Sequence, residues 1–440
     1  MEKTDVYQIA VLSKIKSIVH IYLKIEKKIC DVCIKDIILF LEQNVYLVDG
    51  AKNAAFYDLS KGKLYQLSED AKILIHKSLE NQKNDFNSSE IAFLNELCQK
   101  ELLTENYVES HCISDLIEKK KIEFVWIEIT NCCNLKCVHC YNEADSKCEK
   151  VMAFEAFKHI INELVRFGIR KIQIIGGEPF ILGEKLFEYL EYCKNKFDLI
   201  EIFTNGTLIK AEWFSYLKKN NIHIALSVYS YIEKEHNKVT QISTSWAKTN
   251  DSIRKLEREG IPYRVKNVIM NNIKIGRHTN EPYILSYKKD IVRLTGRAQI
   301  NLLSTELIKR KLIVKNNLAR KITKEFVKKC ISGHNCFSSR LYFSVDLDVY
   351  PCVMERRISH GNIRNQKLSS IIKKNIVNFN KDYIKECKDC EFRYCCFDCR
   401  PDSNGKKIYE KPWFCTYKPL EGLWENDLTS FINNLKDNKI

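Results

Sequence analysis

Cys133, Cys137 and Cys140 stand in the run TNCCNLKCVHCY with the spacing C-x3-C-x2-C. Three thiolates on one loop can each bind one iron of a 4Fe–4S cube and leave the fourth iron without a protein ligand, open to a small molecule. A zinc ion is the competing reading, but structural zinc sites close with four ligands, commonly as C-x2-C pairs. Cys132 falls outside the pattern. Farther along, Cys330-x5-Cys336-x15-Cys352, Cys387-x2-Cys390-x5-Cys396-x2-Cys399 and Cys415 supply eight more thiols. Eight are enough to ligate two further cubes completely; a zinc ribbon is the alternative use of the C-x2-C pairs. The remaining Cys30, Cys33, Cys98, Cys112, Cys148 and Cys193 read as buried apolar fillers.

The elements that must position these groups alternate between strand and helix, the pattern of parallel strands with right-handed helical crossovers. Candidate strands are 124–130, 171–175, 200–204, 222–228, 263–269 and 298–303. Between the first two, Phe154, Phe157, Ile161, Leu164 and Val165 recur at helical spacing, and Gly168 supplies a C-terminal cap. About six β/α units result, fewer than the eight of a closed barrel. The cysteine triad follows the first strand, where a β/α barrel normally carries its active-site groups. After the second strand come Gly176, Gly177, Glu178 and Pro179, glycines that let a backbone approach a ligand closely. Asn205, in TNGT, follows the third strand and Ser227 ends the fourth. Taken singly, each of these also reads as an ordinary turn or strand end.

Upstream, residues 1–40 read as an amphipathic helix without a motif. Residues 41–112 read as three short strands (VYLVDG, AAFYDL, KLYQL) and two helices, one opening at Ser68 and the other at Ser88 or Ser89. That makes a module of winged-helix size. Residues 113–324 form the alternating core and 325–440 the cysteine-rich end.

Composition narrows the class. The chain has 440 residues, 19 cysteines and 45% apolar residues, so it can bury a core without the staples of a small secreted scaffold. Glu2, Asp5, Lys14, Lys16 and Lys24 interrupt any signal-peptide core, and no run approaches the roughly 20 apolar residues of a membrane span. A reducing cytoplasm is expected, where clustered cysteines are metal ligands or redox groups. The excess of 71 basic over 56 acidic residues, +15, suits an acidic peptide or nucleic acid, but the lysines are spread along the chain and charge alone selects no partner.

The loop at Cys133–Cys140, with Tyr141 after it, resembles the signature of the radical S-adenosylmethionine (radical SAM) superfamily, and Gly176–Pro179 is similar to its GGEP element. The resemblance implies that SAM chelates the open iron, that Gly176, Gly177, Glu178 and Pro179 hold its methionyl ammonium, and that Asn205 and Ser227 contact it. It implies a partial (β/α)6 TIM-like barrel in an α/β chain. Reductive cleavage of SAM to a 5'-deoxyadenosyl radical is the implied activity, fed by an electron donor such as flavodoxin or ferredoxin. The cysteine-rich end resembles the SPASM extension of peptide-modifying members. By that resemblance Cys330, Cys336, Cys352 and Cys399 hold an inner auxiliary cluster, and Cys387, Cys390, Cys396 and Cys415 an outer one. The family's last pair is often spaced x3, which leaves Cys395 as an alternative to Cys396. The amino-terminal module is similar to the winged-helix domain by which peptide maturases recognise a leader. The expected function is a cytoplasmic maturase that closes a thioether or carbon–carbon cross-link in a ribosomal precursor peptide, without membrane or nucleic-acid partners. The alternatives are an anaerobic sulfatase-maturating, formylglycine-generating enzyme, and a non-enzymatic peptide or nucleic-acid binder. The residue modified and any catalytic acid or base stay open.

Overall fold

The computed structural model describes residues 38–437 except 81–85, 120, 148, 278–283, 319–321, 337, 373–378 and 404–407. The helix expected within residues 1–40 therefore lies, up to residue 37, outside the described residues, as do Cys30, Cys33 and Cys148.

The amino-terminal module opens with β1 (Phe40–Leu41), followed by an antiparallel sheet of β2 (Val45–Asp49), β3 (Ala54–Asp58) and β4 (Lys63–Leu67) in that order. Helices α1 (Glu69–Leu79) and α2 (Ser88–Gln99) follow, and β5 (Leu103–Thr104) returns to pair with β1. Ser68 caps α1, its side chain accepting from the Ala71 N–H. The cap of α2 is Asn87 rather than Ser88 or Ser89. Its side chain accepts from the N–H groups of Ser89 and Glu90, while Glu90 accepts from the Asn87 N–H. Asparagine serves at an N-cap as well as serine, and the reciprocal Glu90 bond decides the position.

The core is a run of parallel strands: β6 (Phe124–Glu128), β7 (Lys171–Ile175), β8 (Leu199–Thr204), β9 (His223–Ser227), β10 (Tyr263–Ile269) and β11 (Ile284–Ile291), each paired with the next. The six-strand α/β architecture is the expected one. Its sixth member, however, is 284–291, while 300–302 is a single 3-10 turn. The run YKKDI in β11 carries charges that hide it from a reading based on apolar residues.

Helices α3 (Phe154–Arg166), α4 (Lys185–Cys193), α5 (Trp213–Lys219), α6 (Glu233–Thr240) and α7 (Ser245–Glu259) link the first five strands. Val125, Ile172, Ile202 and Ile224 face them and pack with Phe157, Ile161, Leu190 and Leu256 in one buried cluster. Along α3 the buried positions are 157, 160, 161 and 164; Val165, expected inside, is 41% exposed because it falls on the outer side of that stripe. Gly168, at φ +77°, ends the helix as expected.

After α8 (Thr305–Lys311), α9 (Lys315–Leu318) and α10 (Lys324–Ile331), the carboxyl-terminal segment rejoins the core. Strand β12 (Arg340–Phe343) runs parallel to β6, and β13 (Asp348–Tyr350) and β14 (Gly361–Asn362) add antiparallel beyond it. The cysteine-rich end thus extends the core sheet to nine strands. Among the described residues no helix is long and apolar enough to cross a membrane.

Candidate active site

The cysteine loop leaves the carboxyl end of β6 and is held from three sides. Gly177 N–H donates to the Thr130 carbonyl at 2.8 Å and Glu178 N–H to the Cys132 carbonyl at 2.7 Å. This contact explains the two glycines: a Cβ on Gly177 would stand 2.1 Å from Cys132 O, and one on Gly176 2.7 Å from Thr130 O. Their smallness serves first the approach of one protein loop to another, where the sequence suggested only a ligand. From α6, the Thr240 and Val239 carbonyls accept from Lys136 and Val138 N–H. From beyond β11, Arg297 donates Nε to the Cys137 carbonyl at 3.0 Å, a terminal nitrogen to the Ala144 carbonyl at 2.9 Å, and its own N–H to the Cys140 carbonyl. Gly296, at φ +57°, lies so close that a Cβ would meet Cys140 O at 2.3 Å.

So braced, Cys133 and Cys137 are buried and Cys140 half-buried around Leu135, Ala144 and Tyr229. Burial pushes the Cys137 thiol up to about 12 and raises Cys133 further. These thiols release their protons only to a partner that brings positive charge, as iron does. Burial also drives His139 down to about 4, so its imidazole, edge-on to Tyr229, is neutral at physiological pH.

All three thiols open on one cavity of about 580 Å3. Its wall at this end includes Gly176, Gly177, Thr204, Asn205, Ser227 and Tyr229. Glu178 and Pro179 sit behind that wall. The buried Glu178 carboxylate accepts from Thr204 Oγ1 at 2.6 Å, Asn205 N–H at 2.7 Å and Phe180 N–H at 3.1 Å, so it pins the GGEP turn to the next strand end. Burial lifts its pKa to about 7 despite those donors. Asn205 in turn donates to Asn134 Oδ1 at 3.0 Å, and Asn134 to Thr207 at 2.8 Å, tying the loop after β8 to the cysteine loop. Deeper in the barrel the cavity is lined by Arg264, which pairs with the buried Glu201 at 2.7 Å, and by Lys266 paired with Asp290. Ordinary closed barrels fill this space with branched apolar residues.

Of the expected outer set, Cys387, Cys390, Cys396 and Cys415 line one small cavity together. Cys395 does not; its buried Sγ donates to the Phe392 carbonyl at 3.3 Å and neighbours the Tyr57 hydroxyl. Of the expected inner set, Cys336 is an electrostatic neighbour of both Cys352 and Cys399. Cys330 lies at the end of α10, in the buried cluster that also holds Cys395 and Tyr57. Among the remaining cysteines Cys193 is buried as expected, Cys98 is half-buried, and Cys112 is exposed, because it caps a surface turn beside Asp115. Among the described residues no three His, Cys, Asp or Glu side chains are drawn together tightly enough to hold a single metal ion. Thiols spread around a cavity suit a multi-iron cluster better than a lone zinc.

Sequence reasoning missed Arg293, Gly296, Arg297, Asn134 and Tyr229. Arg297 acts across 160 residues from Cys137, and no local pattern marks such a partner.

Residues 127–281 match the Radical SAM superfamily, and residues 335–391 match the iron-sulfur cluster-binding SPASM domain. The antilisterial bacteriocin subtilosin biosynthesis protein AlbA of Bacillus subtilis is 34% identical over 140 residues, 31% of this chain and 31% of that protein. Fe-coproporphyrin III synthase of Methanosarcina barkeri is 40% identical over 111 residues, 25% of this chain and 27% of that one. The chain thus matches less than a third of the length of either relative. Among solved structures, native anSMEcpe with bound AdoMet and a peptide gives a TM-score of 0.51 at 19% identity, covering 72% of this chain and 99% of that one. Streptococcus suis SuiB bound to precursor peptide SuiA gives 0.50 at 13%, covering 82% and 96%. At these identities the structural likeness speaks for the fold.

Proposed function

We propose that this chain, a radical SAM core joined to a SPASM iron–sulfur domain, modifies a ribosomally made precursor peptide by closing a thioether or carbon–carbon cross-link. The observation that carries the reading is the single cavity lined by three thiols of one loop, the Gly176–Gly177 turn, Asn205 and Ser227. Its donor set fits the cofactors: Cys133, Cys137 and Cys140 open on the cavity while Cys132 of the same loop is not in its lining, as a cluster with an open corner needs, and the Gly176–Gly177 backbone lies beside them for SAM. When bound, that pair supplies a 5'-deoxyadenosyl radical able to take a hydrogen atom from a substrate carbon.

The chain's own groups have narrower tasks. Cys133, Cys137 and Cys140 hold the cluster; Gly176, Gly177, Asn205 and Ser227 hold SAM. Glu178 fixes the two turns that carry those contacts, rather than meeting the ammonium directly. The neutral His139 and the Tyr229 ring shield the thiols from water. The interior pairs Arg264–Glu201 and Lys266–Asp290 give the substrate end of the cavity polar walls, to which Lys171, Arg293 and Arg340 add positive charge.

Closing a cross-link removes two hydrogens from the peptide. One leaves as an atom to the SAM-derived radical, the other as a proton and an electron. That electron needs an acceptor, and the SPASM cysteines would hold auxiliary 4Fe–4S clusters able to take it: Cys330, Cys336, Cys352 and Cys399 the inner, Cys387, Cys390, Cys396 and Cys415 the outer. A flavodoxin or ferredoxin supplies the electron that cleaves SAM. The amino-terminal sheet, with β4 at one edge, suits strand addition by a leader segment; the overall basic charge favours an acidic one. AlbA and SuiB, a bacteriocin biosynthesis protein and a protein bound to a precursor peptide, are relatives in keeping with this assignment.

Anaerobic incubation with reductant, SAM and a cysteine-containing precursor should give a product lighter by two hydrogens per cross-link, with one alkylatable thiol fewer if the bond is a thioether. Consumption of SAM with an unchanged peptide mass overturns the reading.

A further inference from the structure

Arg293 belongs to no motif. It lies two residues beyond β11, on the wall of the active-site cavity, and its Nε donates to Cys399 Sγ at 3.2 Å. Its guanidinium is also an electrostatic neighbour of Cys352, another thiol of the expected inner set. Two carboxylates stand nearby, but each has its own cation. Asp290, 3.9 Å from the Arg293 guanidinium, pairs with Lys266. Asp402 pairs with the buried Lys311 at 2.6 Å. The partner left to Arg293 at hydrogen-bonding distance is sulfur. A largely buried guanidinium is costly to leave against a neutral thiol, whereas an anionic sulfur compensates it.

We propose that Arg293 is a positioning residue for the iron–sulfur group on Cys399, raising its reduction potential and presenting it to the substrate cavity. The proposal rests on the reading above that Cys399 is a cluster ligand. Reduction adds one negative charge to a 4Fe–4S group, and a cation hydrogen-bonded to a ligand sulfur stabilises the reduced form more than the oxidised one. The benefit falls at the step where the cross-link closes. There the peptide radical forms its new bond and gives up one electron and one proton. That electron would go to an oxidised auxiliary cluster held by these thiols, reducing it by one, and the proton would go to water. The same five-residue segment reaches the first cysteine loop through Gly296 and Arg297, so it joins the site where the hydrogen is taken to the site where the electron is received.

The experiment is a redox titration of the auxiliary signals by electron paramagnetic resonance, in a chain whose Cys133, Cys137 and Cys140 are replaced by Ala to silence the first cluster. Iron counting comes first. The unmutated holoenzyme should hold about twelve irons per chain, three cubes; about four would overturn the Cys399 ligand reading itself. With the auxiliary iron in place, Arg293→Gln should shift one auxiliary midpoint to more negative potential, and Arg293→Lys, which keeps the charge, should shift it less. A midpoint in Arg293→Gln equal to the parent's, at full iron content, overturns the proposal. So does loss of that cluster's iron in both variants, since Arg293 would then be only a structural prop.

Discussion

Gly177 admits no side chain, because a Cβ there would press on the backbone of the cysteine loop. Gly177→Ala should therefore destabilise the protein by about 3 kcal/mol or more, since neither backbone can yield cheaply. Gly168→Ala, where nothing lies within 4 Å and only the positive φ opposes it, should cost about 1 kcal/mol; denaturant unfolding of the two variants compares them. Glu178 gives a pH signature. Burial raises its folded-state pKa from 4.5 to about 7, so the folded protein holds a proton that the unfolded chain has lost between those values. Stability should fall as pH rises from about 4.5 to 7 and level off above. Glu178→Gln should remove that part of the slope, read as melting temperature against pH. At the outer cysteine set, Cys396→Ala should lose about four irons per chain after anaerobic reconstitution, whereas Cys395→Ala should keep them. An equal loss from both would count against Cys396 as the ligand. At this scale the cysteine spacing and the GGEP run were legible in the sequence because their chemistry is local. The arginines and Asn134 were not, because each acts through the carbonyl, amide or sulfur of a residue far away in the chain.

Among the elements, periodicity and caps sufficed where one face of a helix or strand is apolar. Five of the six core strands fall where the alternation places them. The sixth was misplaced because the KKD run of β11 breaks its apolar pattern, and of those charges Asp290 lines the cavity, where a reading built on buried apolar residues has no place for it. The cap of α2 was missed by a single residue, since Asn87, Ser88 and Ser89 are all competent and only the Glu90 reciprocal bond separates them. Asn87→Ala should accordingly cost about 1 kcal/mol and Ser88→Ala much less, measured by chemical denaturation. The addition of β12 to the core sheet carried no sequence signal: RLYF reads as a strand anywhere, and its partner β6 lies more than 200 residues earlier.

Across the whole molecule, the amino-terminal sheet is not an independent appendage. Tyr46, Val48, Tyr57 and Leu64 share a buried cluster with Phe392, Tyr394, Cys395 and Tyr417. Tyr57 donates to the Glu391 carbonyl at 2.8 Å, and the Glu391 carboxylate accepts from Gln66 at 2.8 Å and Tyr417 at 2.6 Å. Removing residues 38–112 would uncover that apolar face next to the outer cysteines, so a truncation would report on aggregation as much as on leader recognition. Tyr57→Phe is the gentler probe. It should cost about 1 kcal/mol and speed amide hydrogen exchange in 390–396, while unchanged exchange there would mean that the contact is incidental. The sequence showed the module's size and elements but not its seat, because the near-continuous apolar runs VYLV and AAFY say that both faces are covered but not by what.

The grip of Arg297 on the cysteine loop sets a timetable for biogenesis. The guanidinium that fixes the Cys137 carbonyl is encoded 160 residues after it, so a ribosome adding about 5–20 residues per second needs roughly ten to thirty seconds to supply it. Through that interval the nascent thiols lack one of their braces and are open to oxidation. Iron delivery is then a late event, competing with oxygen for a loop that becomes rigid only once the barrel's last strand has been made.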